Sequence, residues 1–378
     1  MERHSTEIKI GIIGDGQLAL MLAESLKKRG FQFMCLKQSP QSPMERTFPA
    51  ETTFDRELFQ KSCDVFTLEN EFLKVDELNE ILKEKSDLLF PELDSYKHFA
   101  DKISQRKLFE SLGLSSPQWM EFSRPDQAAT VLEKFSYPFM VKASSGGYDG
   151  KGVRVIRSDT DFAQVQKDFG LHENKILLVE EMIKIKKEIA QGFLRSKNGP
   201  STFLPLVDTV QENGICHFVY YPADVSAKVA EQVEVMLQKL INYPLIGIFN
   251  FEFFVDDSEN VFINEGAPRP HNSQHLTINA SILSQFDLLG LYLLNATDVP
   301  RTIRTKPSAM INILGQSNRM DYKLELPKVE GDVEIFSKLY AKEKSAPGRK
   351  MGHVNIVDRL GHNDLRSIAE RIFGEYRL

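Results

Sequence analysis

The chain has 378 residues, 42% hydrophobic and 26% charged, enough for two or three domains with cores of their own in an ordinary globular protein. Its formal net charge of −6 argues against nucleic acid as a partner, and the longest apolar runs, such as Tyr243 to Phe254, are too short and interrupted to span a membrane. The polar start, Met1 to Lys9, lacks the apolar centre of a signal peptide, and the odd set Cys35, Cys63 and Cys216 shows no metal spacing, so free thiols and a cytoplasmic location are expected.

In chain order, residues 8–13 read as a buried strand and Gln17 to Arg29 as a helix ended by Gly30. Phe31 to Leu36 and Val65 to Leu68 supply further strands, so a parallel α/β sheet is expected over roughly the first 95 residues. The turn Gly14-Asp-Gly-Gln-Leu-Ala19 fits the G-x-G-x-x-G/A dinucleotide pattern. That pattern expects a carboxylate at the end of the second strand to hold ribose hydroxyls, and Met34-Cys-Leu-Lys-Gln38 has none. The dinucleotide reading is therefore not favoured.

Asp101 to Phe109 reads as an amphipathic helix closed by Gly113. Tyr137 to Val141 is an apolar strand that delivers Lys142 to a loop with four glycines between Gly146 and Gly152. Glycine permits close backbone approach, and successive N–H groups can converge on a polyphosphate. No Gly-Lys-Ser/Thr opens a helix here, so this is not a P-loop; a plain turn is the alternative. Ile176 to Glu181 is a strand ending in paired carboxylates, Lys184 to Lys187 a solvated edge, and Ala230 to Leu240 a helix.

Ile246 to Val255 and Val261 to Glu265 form a hairpin around residues 256–260. Strand alternation puts Asn250 and Glu252 on one face and Phe249, Phe251 and Phe253 on the other. Antiparallel pairing brings Glu252 and Glu265 within cross-strand reach, where two carboxylates repel unless a cation lies between them. Mg²⁺ shared with nucleotide phosphates suits that donor set; one surface glutamate and one salt-bridged glutamate is the alternative. The irregular loop after it places Arg269, His271, Asn272, Ser273 and His275 beside that metal. Arg269 suits a phosphate or carboxylate, and a histidine there acts as acid–base or as hydrogen-bond donor. His4 and His98 are given neither role. After Pro307 come a strand, Ala309 to Leu314, a basic stretch, Lys342 to Lys350, and a C-terminal helix. Alone the basic stretch is a charge-rich turn; with the rest it closes over an anionic substrate.

Together these residues resemble the ATP-grasp superfamily, and within it the N5-carboxyaminoimidazole ribonucleotide synthetases. The resemblance runs in order through Gly14-x-Gly-Gln-Leu18, Ala100-Asp-Lys102 with Gln105 and Lys107-Leu-Phe109, Val141-Lys142, and Gly146-Gly-Tyr-Asp-Gly-Lys-Gly152. It continues through Asn264-Glu-x-Ala-Pro-Arg-Pro-His-Asn-Ser-x-His275, Ser284-Gln-Phe286, Met310-Ile-Asn312 and Pro347-Gly-Arg-Lys-x-Gly-His353. It implies a mixed α/β and α+β architecture: a Rossmann-like pre-ATP-grasp domain at 1–98, an ATP-grasp domain at 99–305, and a small β-rich C-terminal domain at 306–378.

The resemblance also implies site roles. ATP would bind through Lys102, Lys142, the loop residues Gly147, Tyr148, Asp149, Gly150, Lys151, Gly152 and Val153, and the hinge Glu180, Glu181, Met182 and Ile183, with Glu188 on the ribose and Asp208 and Asn264 nearby. Glu252 and Glu265 would hold Mg²⁺. Bicarbonate and aminoimidazole ribonucleotide would be the substrates, with Gln17, Glu69, Arg269, His271, Asn272, Ser273, Arg349 and Lys350 on the substrate side. Tyr148, Asp149, Arg269, His271 and Lys342 would serve the chemistry, and a homodimer is implied. The chain departs from the family's usual sequence at Leu20, Phe72, Gln274 and Ala346, all assigned to the substrate side. A related ATP-grasp ligase with another acceptor is the alternative on that ground. A nucleotide-binding protein without turnover is disfavoured by intact Lys142, Glu252 and Glu265.

Overall fold

The first strand, Lys9–Ile13 (β1), is buried at nearly every position and feeds the helix Gln17–Lys28 through the glycine turn. Beside it lie Gln32–Leu36 (β2), Thr52–Thr53 (β3) and Val65–Leu68 (β4), in the order β3-β2-β1-β4 and all parallel, as the alternating pattern requires. The computed structural model describes residues 8–145, 152–170, 175–197, 199–329 and 331–378. The loop residues Gly147, Tyr148, Asp149, Gly150 and Lys151 lie outside the described residues.

A small antiparallel sheet follows, from Trp119–Phe122 (β5), Phe139–Ala143 (β6), Val153–Ile156 (β7) and Leu177–Glu181 (β8), in the order β5-β8-β6-β7. Phe122, Phe139, Phe162 and Val179 fill the core between this sheet and its helices.

The third sheet is the largest. Its strands are Ile185–Arg195 (β9), Ser201–Phe203 (β10), Val207–Glu212 (β11), Ile215–Tyr221 (β12), Gly247–Asp256 (β13), Val261–Ala267 (β14), Ser308–Leu314 (β15), Val333–Leu339 (β16) and Lys350–Asp358 (β17). The order is β14-β13-β9-β11-β12-β15-β17-β16, with β10 on β9. The C-terminal strands do not form a sheet apart: β15 pairs with β12, so the sheet runs unbroken across residue 306.

Lys184 to Lys187 leads into β9, which lies between β13 and β11 and buries Ile189, Ala190, Phe193 and Leu194. Lys184, Ile185 and Lys186 are exposed, as a solvated run requires, while Lys187 reaches Asp208 and Asp224. Cys35, Cys63 and Cys216 are free, as expected. Among the described residues no helix is long and apolar enough to cross a membrane.

Candidate active site

The hairpin of β13 and β14 sets the site. Its phenylalanine face, Phe249, Phe251 and Phe253, packs with Phe99, Phe109 and Phe193 in the core, as alternation requires. Close to the turn the register is regular: Val255 opposes Val261 and Phe253 opposes Ile263. Continued unchanged, it would set Glu252 opposite Asn264. A β-bulge intervenes, and Glu252 instead opposes Glu265. The extra residue, Asn264, is turned toward Lys142, with Nζ 3.4 Å from its Oδ1. One irregularity thus creates both the carboxylate pair and the asparagine contact, which is the use bulges commonly serve beside active sites.

On β9, Glu188 shares the face of Glu252, because it opposes Phe254 while Ala190 opposes Glu252. Three carboxylates therefore crowd one side of the sheet. Burial, then the charges of Glu265 and Glu188, push the Glu252 carboxyl well above the usual range. Burial and Glu265 likewise raise Glu188, to about 7. Glu265 is held low, because Lys102 Nζ lies 2.6 Å from its Oε2.

Two lysines face these carboxylates from different elements. Asp101 caps the helix Lys102–Ser111, accepting from Ser104 N at 2.9 Å, and so fixes Lys102 at its first position. Lys102 N donates to Ser144 O at 2.8 Å, which joins the helix start to the end of β6, where Lys142 sits. Gln105 Oε1 accepts from Gly266 N at 2.9 Å, locking the same helix to β14 beside Glu265. Lys142 Nζ lies 2.6 Å from Glu180 Oε2, and Arg106 Nε donates to the other oxygen. Burial raises the Glu180 carboxyl, but Lys142 and Arg106 outweigh it and hold it down to about 2. Glu180 therefore turns inward to the lysine rather than lining an adenine pocket with its side chain. Glu181 accepts from Gln118 N at 2.8 Å, and Met182 is exposed on the short link from β8 to β9. That link joins the two antiparallel sheets.

The loop after β14 is bound at each step. Asn250 Nδ2 donates to Arg269 O at 2.8 Å, and Gly192 makes room for that side chain: a Cβ there would lie 2.4 Å from Asn250 Oδ1. The Arg269 guanidinium forks onto Glu71, with Nη2 2.8 Å from Oε1 and Nε on Oε2. His271 Nε2 is 3.5 Å from Glu252 Oε1, and Nδ1 is 2.9 Å from Ser273 Oγ. Burial, then Arg269, lowers His271 to about 3, so its imidazole is neutral at pH 7. Asn272 and Asn312 exchange amide hydrogen bonds of 2.9 and 2.6 Å, tying the loop to β15.

Glu69, at the end of β4, settles the glycine turn. Its carboxylate accepts from Gly16 N at 2.7 Å and Ala19 N at 3.1 Å, at the start of the first helix. The N–H groups that would meet a dinucleotide pyrophosphate are thus taken by the protein's own anion. A Cβ on Gly16 would lie 2.6 Å from that carboxylate, so the glycine serves the internal contact. Gln17 stands at the first turn of the same helix.

The site therefore gathers Lys102, Lys142, Asn264, Glu188, Glu252, Glu265, Arg269 and His271. Lys350, at the start of β17, acts electrostatically on Glu252 and His271, and Lys342 Nζ is 2.5 Å from Lys350 O. Gly152 and Val153 border the cleft, since Val153 pairs with Lys142 and Gly152 O accepts from Ala143 N. Two assignments need correction. Asp208 opposes Ile189 rather than Glu188, lies on the other face of the sheet, and binds Lys187 and Arg366 there. Ser273 is buried, with its hydroxyl used on His271, so it positions that ring. Arg349 is exposed and donates to Lys344 O at 2.9 Å. Among the departures, Leu20 is packed in the core and Gln274 is fully buried on Pro205 O, so neither side chain faces the cleft. Arg106 and Glu71 were not assigned roles by the sequence reading. The available signals were a charged residue three after Ile103 on the apolar helix face, and a second carboxylate two after Glu69.

Two sheets joined by a hinge, two lysines and an opposed carboxylate pair define an ATP-grasp protein. A model of the ATP-grasp domain matches residues 107–286, one of the ribonucleotide synthetase preATP-grasp domain residues 8–97, and one of the phosphoribosylaminoimidazole carboxylase C-terminal domain residues 308–364. The N5-carboxyaminoimidazole ribonucleotide synthase of Staphylococcus aureus (strain COL) is 31% identical over 377 residues, covering 97% of this chain and 96% of that protein. The chain belongs to the N5-carboxyaminoimidazole ribonucleotide synthase family. The crystal structure of the S. aureus synthetase with ADP superposes with a TM-score of 0.83 at 27% identity, over 99% of this chain and 98% of that one. The Aspergillus clavatus synthase with ADP and 5-aminoimidazole ribonucleotide superposes with a TM-score of 0.80 at 27% identity, over 98% and 100%.

Proposed function

We propose that this chain is an ATP-dependent ligase that carboxylates the exocyclic amine of 5-aminoimidazole ribonucleotide. Bicarbonate is the carbon donor and carboxyphosphate the intermediate; the products are N5-carboxyaminoimidazole ribonucleotide, ADP and phosphate. The observation that carries the reading is the opposed pair Glu252 and Glu265 facing Lys102 and Lys142, with Arg269 and His271 alongside.

ATP lies between the small and the large antiparallel sheets in this account, with Met182 at the link offering apolar surface to the adenine and Lys102 and Lys142 taking the phosphates. The donor set fits Mg²⁺: two crowded carboxylates from adjacent strands, Glu252 raised by burial and by its neighbour's charge, Glu265 held low by the Lys102 ammonium that stands on it in a cation's place. Bound there, Mg²⁺ supplies neutralisation of the charge on the transferring phosphoryl group.

A bicarbonate oxygen attacks the γ-phosphorus as its bond to ADP breaks. The amine nitrogen then attacks the carboxyl carbon, and phosphate departs with the bridging oxygen. A neutral His271 is a weak base, so the amine proton passes to the departing phosphate, which is far more basic. His271 orients by hydrogen bonding, and Arg269, preset by Glu71, holds an anionic group. The protein's work is positioning and charge neutralisation. A homodimer and a cytoplasmic location complete the proposal, on the family resemblance.

ADP release by the purified protein with Mg-ATP and bicarbonate, with and without aminoimidazole ribonucleotide, tests this. Strong stimulation by the ribonucleotide is expected. Bicarbonate-dependent release without stimulation would point to another acceptor.

A further inference from the structure

Arg106 lies on the buried side of its helix and is 2% exposed. Its Nε donates to Glu180 Oε1, while Lys142 Nζ lies 2.6 Å from Glu180 Oε2, and Glu180 is 1% exposed. Two cations and one anion thus share a dry pocket at the end of β8, directly behind the phosphate-binding position of Lys142.

Lys142 faces two demands there. An ammonium that swings from Glu180 toward a phosphate leaves that carboxylate behind. If Glu180 had no second cation, that departure would strand a buried carboxylate, which is among the costliest arrangements in a protein interior. With Arg106 left behind on Oε1, Glu180 stays compensated while the lysine moves.

Resting on the nucleotide reading above, we propose that Arg106 is a positioning residue for the ATP reaction: it neutralises Glu180 so that Lys142 can pass from that carboxylate to the nucleotide phosphates. Arg106 touches no substrate itself. It acts by keeping a permanent counter-ion on Glu180, and a neutral side chain of similar length would leave Lys142, among the described residues, as the one cation in direct contact with that anion.

The test measures Mg-ADP affinity by calorimetry and steady-state KM and kcat for ATP, in wild type, Arg106→Met, Arg106→Lys and the double variant Arg106→Met/Glu180→Gln. Arg106→Met should weaken ADP binding and raise KM for ATP by about ten- to a hundredfold, with kcat at saturation changed by less than about threefold. Arg106→Lys should recover most of the affinity. The double variant, which removes one positive and one negative charge together, should bind ADP within about threefold of wild type, a recovery that a purely structural role for Arg106 does not produce. If Arg106→Met does not fold, the double variant carries the test alone, and a loss of about tenfold or more overturns the inference. Wild type failing to bind Mg-ADP would remove the nucleotide reading and this inference with it. Wild type binding normally while Arg106→Met binds within about twofold of it would leave that reading standing and overturn the inference alone.

Discussion

Glu265→Gln separates what the carboxylate pair does for the fold from what it does for chemistry. In the free protein Glu265 pairs with Lys102 at 2.6 Å, but its side chain is 41% exposed, so the pair contributes about 1 kcal/mol or less. Against that loss stands relief of Glu252, whose carboxyl is raised partly by the Glu265 charge across the bulge. The two effects oppose, and Tm should shift by no more than about 2–4 °C. In turnover nothing offsets the change: one of the two carboxylates proposed to hold the metal is gone, and metal-ion stabilisation of a transferring phosphoryl group is worth several kcal/mol. At about 4 kcal/mol, Mg-dependent ADP release should fall roughly a thousandfold. The assay is coupled ADP release at saturating Mg-ATP and bicarbonate, with circular dichroism melting as the control. Turnover within about tenfold of wild type in a folded variant would refute the two-carboxylate site.

Other predictions follow from the same residues. Glu252→Gln should stabilise the ligand-free protein: the folded-state carboxyl is raised above its unfolded value, so its ionisation opposes folding more strongly as pH rises above the unfolded carboxylate range. The gain, about 1–3 kcal/mol, should be larger at pH 8 than at pH 5, and denaturant melts at the two pH values would expose an opposite trend. Glu69→Ala strips two hydrogen bonds from the start of the first helix and should cost about 1–3 kcal/mol, read as a drop in Tm. Arg269→Lys cannot fork onto Glu71, and it should raise KM for aminoimidazole ribonucleotide about tenfold or more while leaving ribonucleotide-independent ADP release within about threefold.

How far the sequence could be read depended on the range of the interactions. The hairpin of β13 and β14 was legible because period-2 alternation is local: Phe249, Phe251 and Phe253 announce one face and Asn250 and Glu252 the other. The bulge at Asn264 was not legible, since a one-residue register shift leaves no trace in a pattern read strand by strand. The strand β9 was hidden by its lysine-rich entry, although its later residues, Ile189 to Leu194, are buried in the middle of the sheet. Asp208 was placed in the nucleotide site because one residue of register decides which face of β11 it occupies. The pairing of β12 with β15 spans about ninety residues of chain, and no local signal encodes it. Arg106 stayed hidden because a helix read as amphipathic assigns its charges to solvent, while this one meets Glu180 from a strand far along the chain.

The central claim is that bicarbonate is phosphorylated before its carbon reaches the amine. It is tested most directly with ¹⁸O-labelled bicarbonate, Mg-ATP and aminoimidazole ribonucleotide, reading the phosphate released by mass spectrometry. The account predicts one bicarbonate oxygen in the phosphate, formed in step with the carboxylated ribonucleotide. Phosphate carrying only solvent and ATP oxygens, while carboxylated product accumulates, would contradict it.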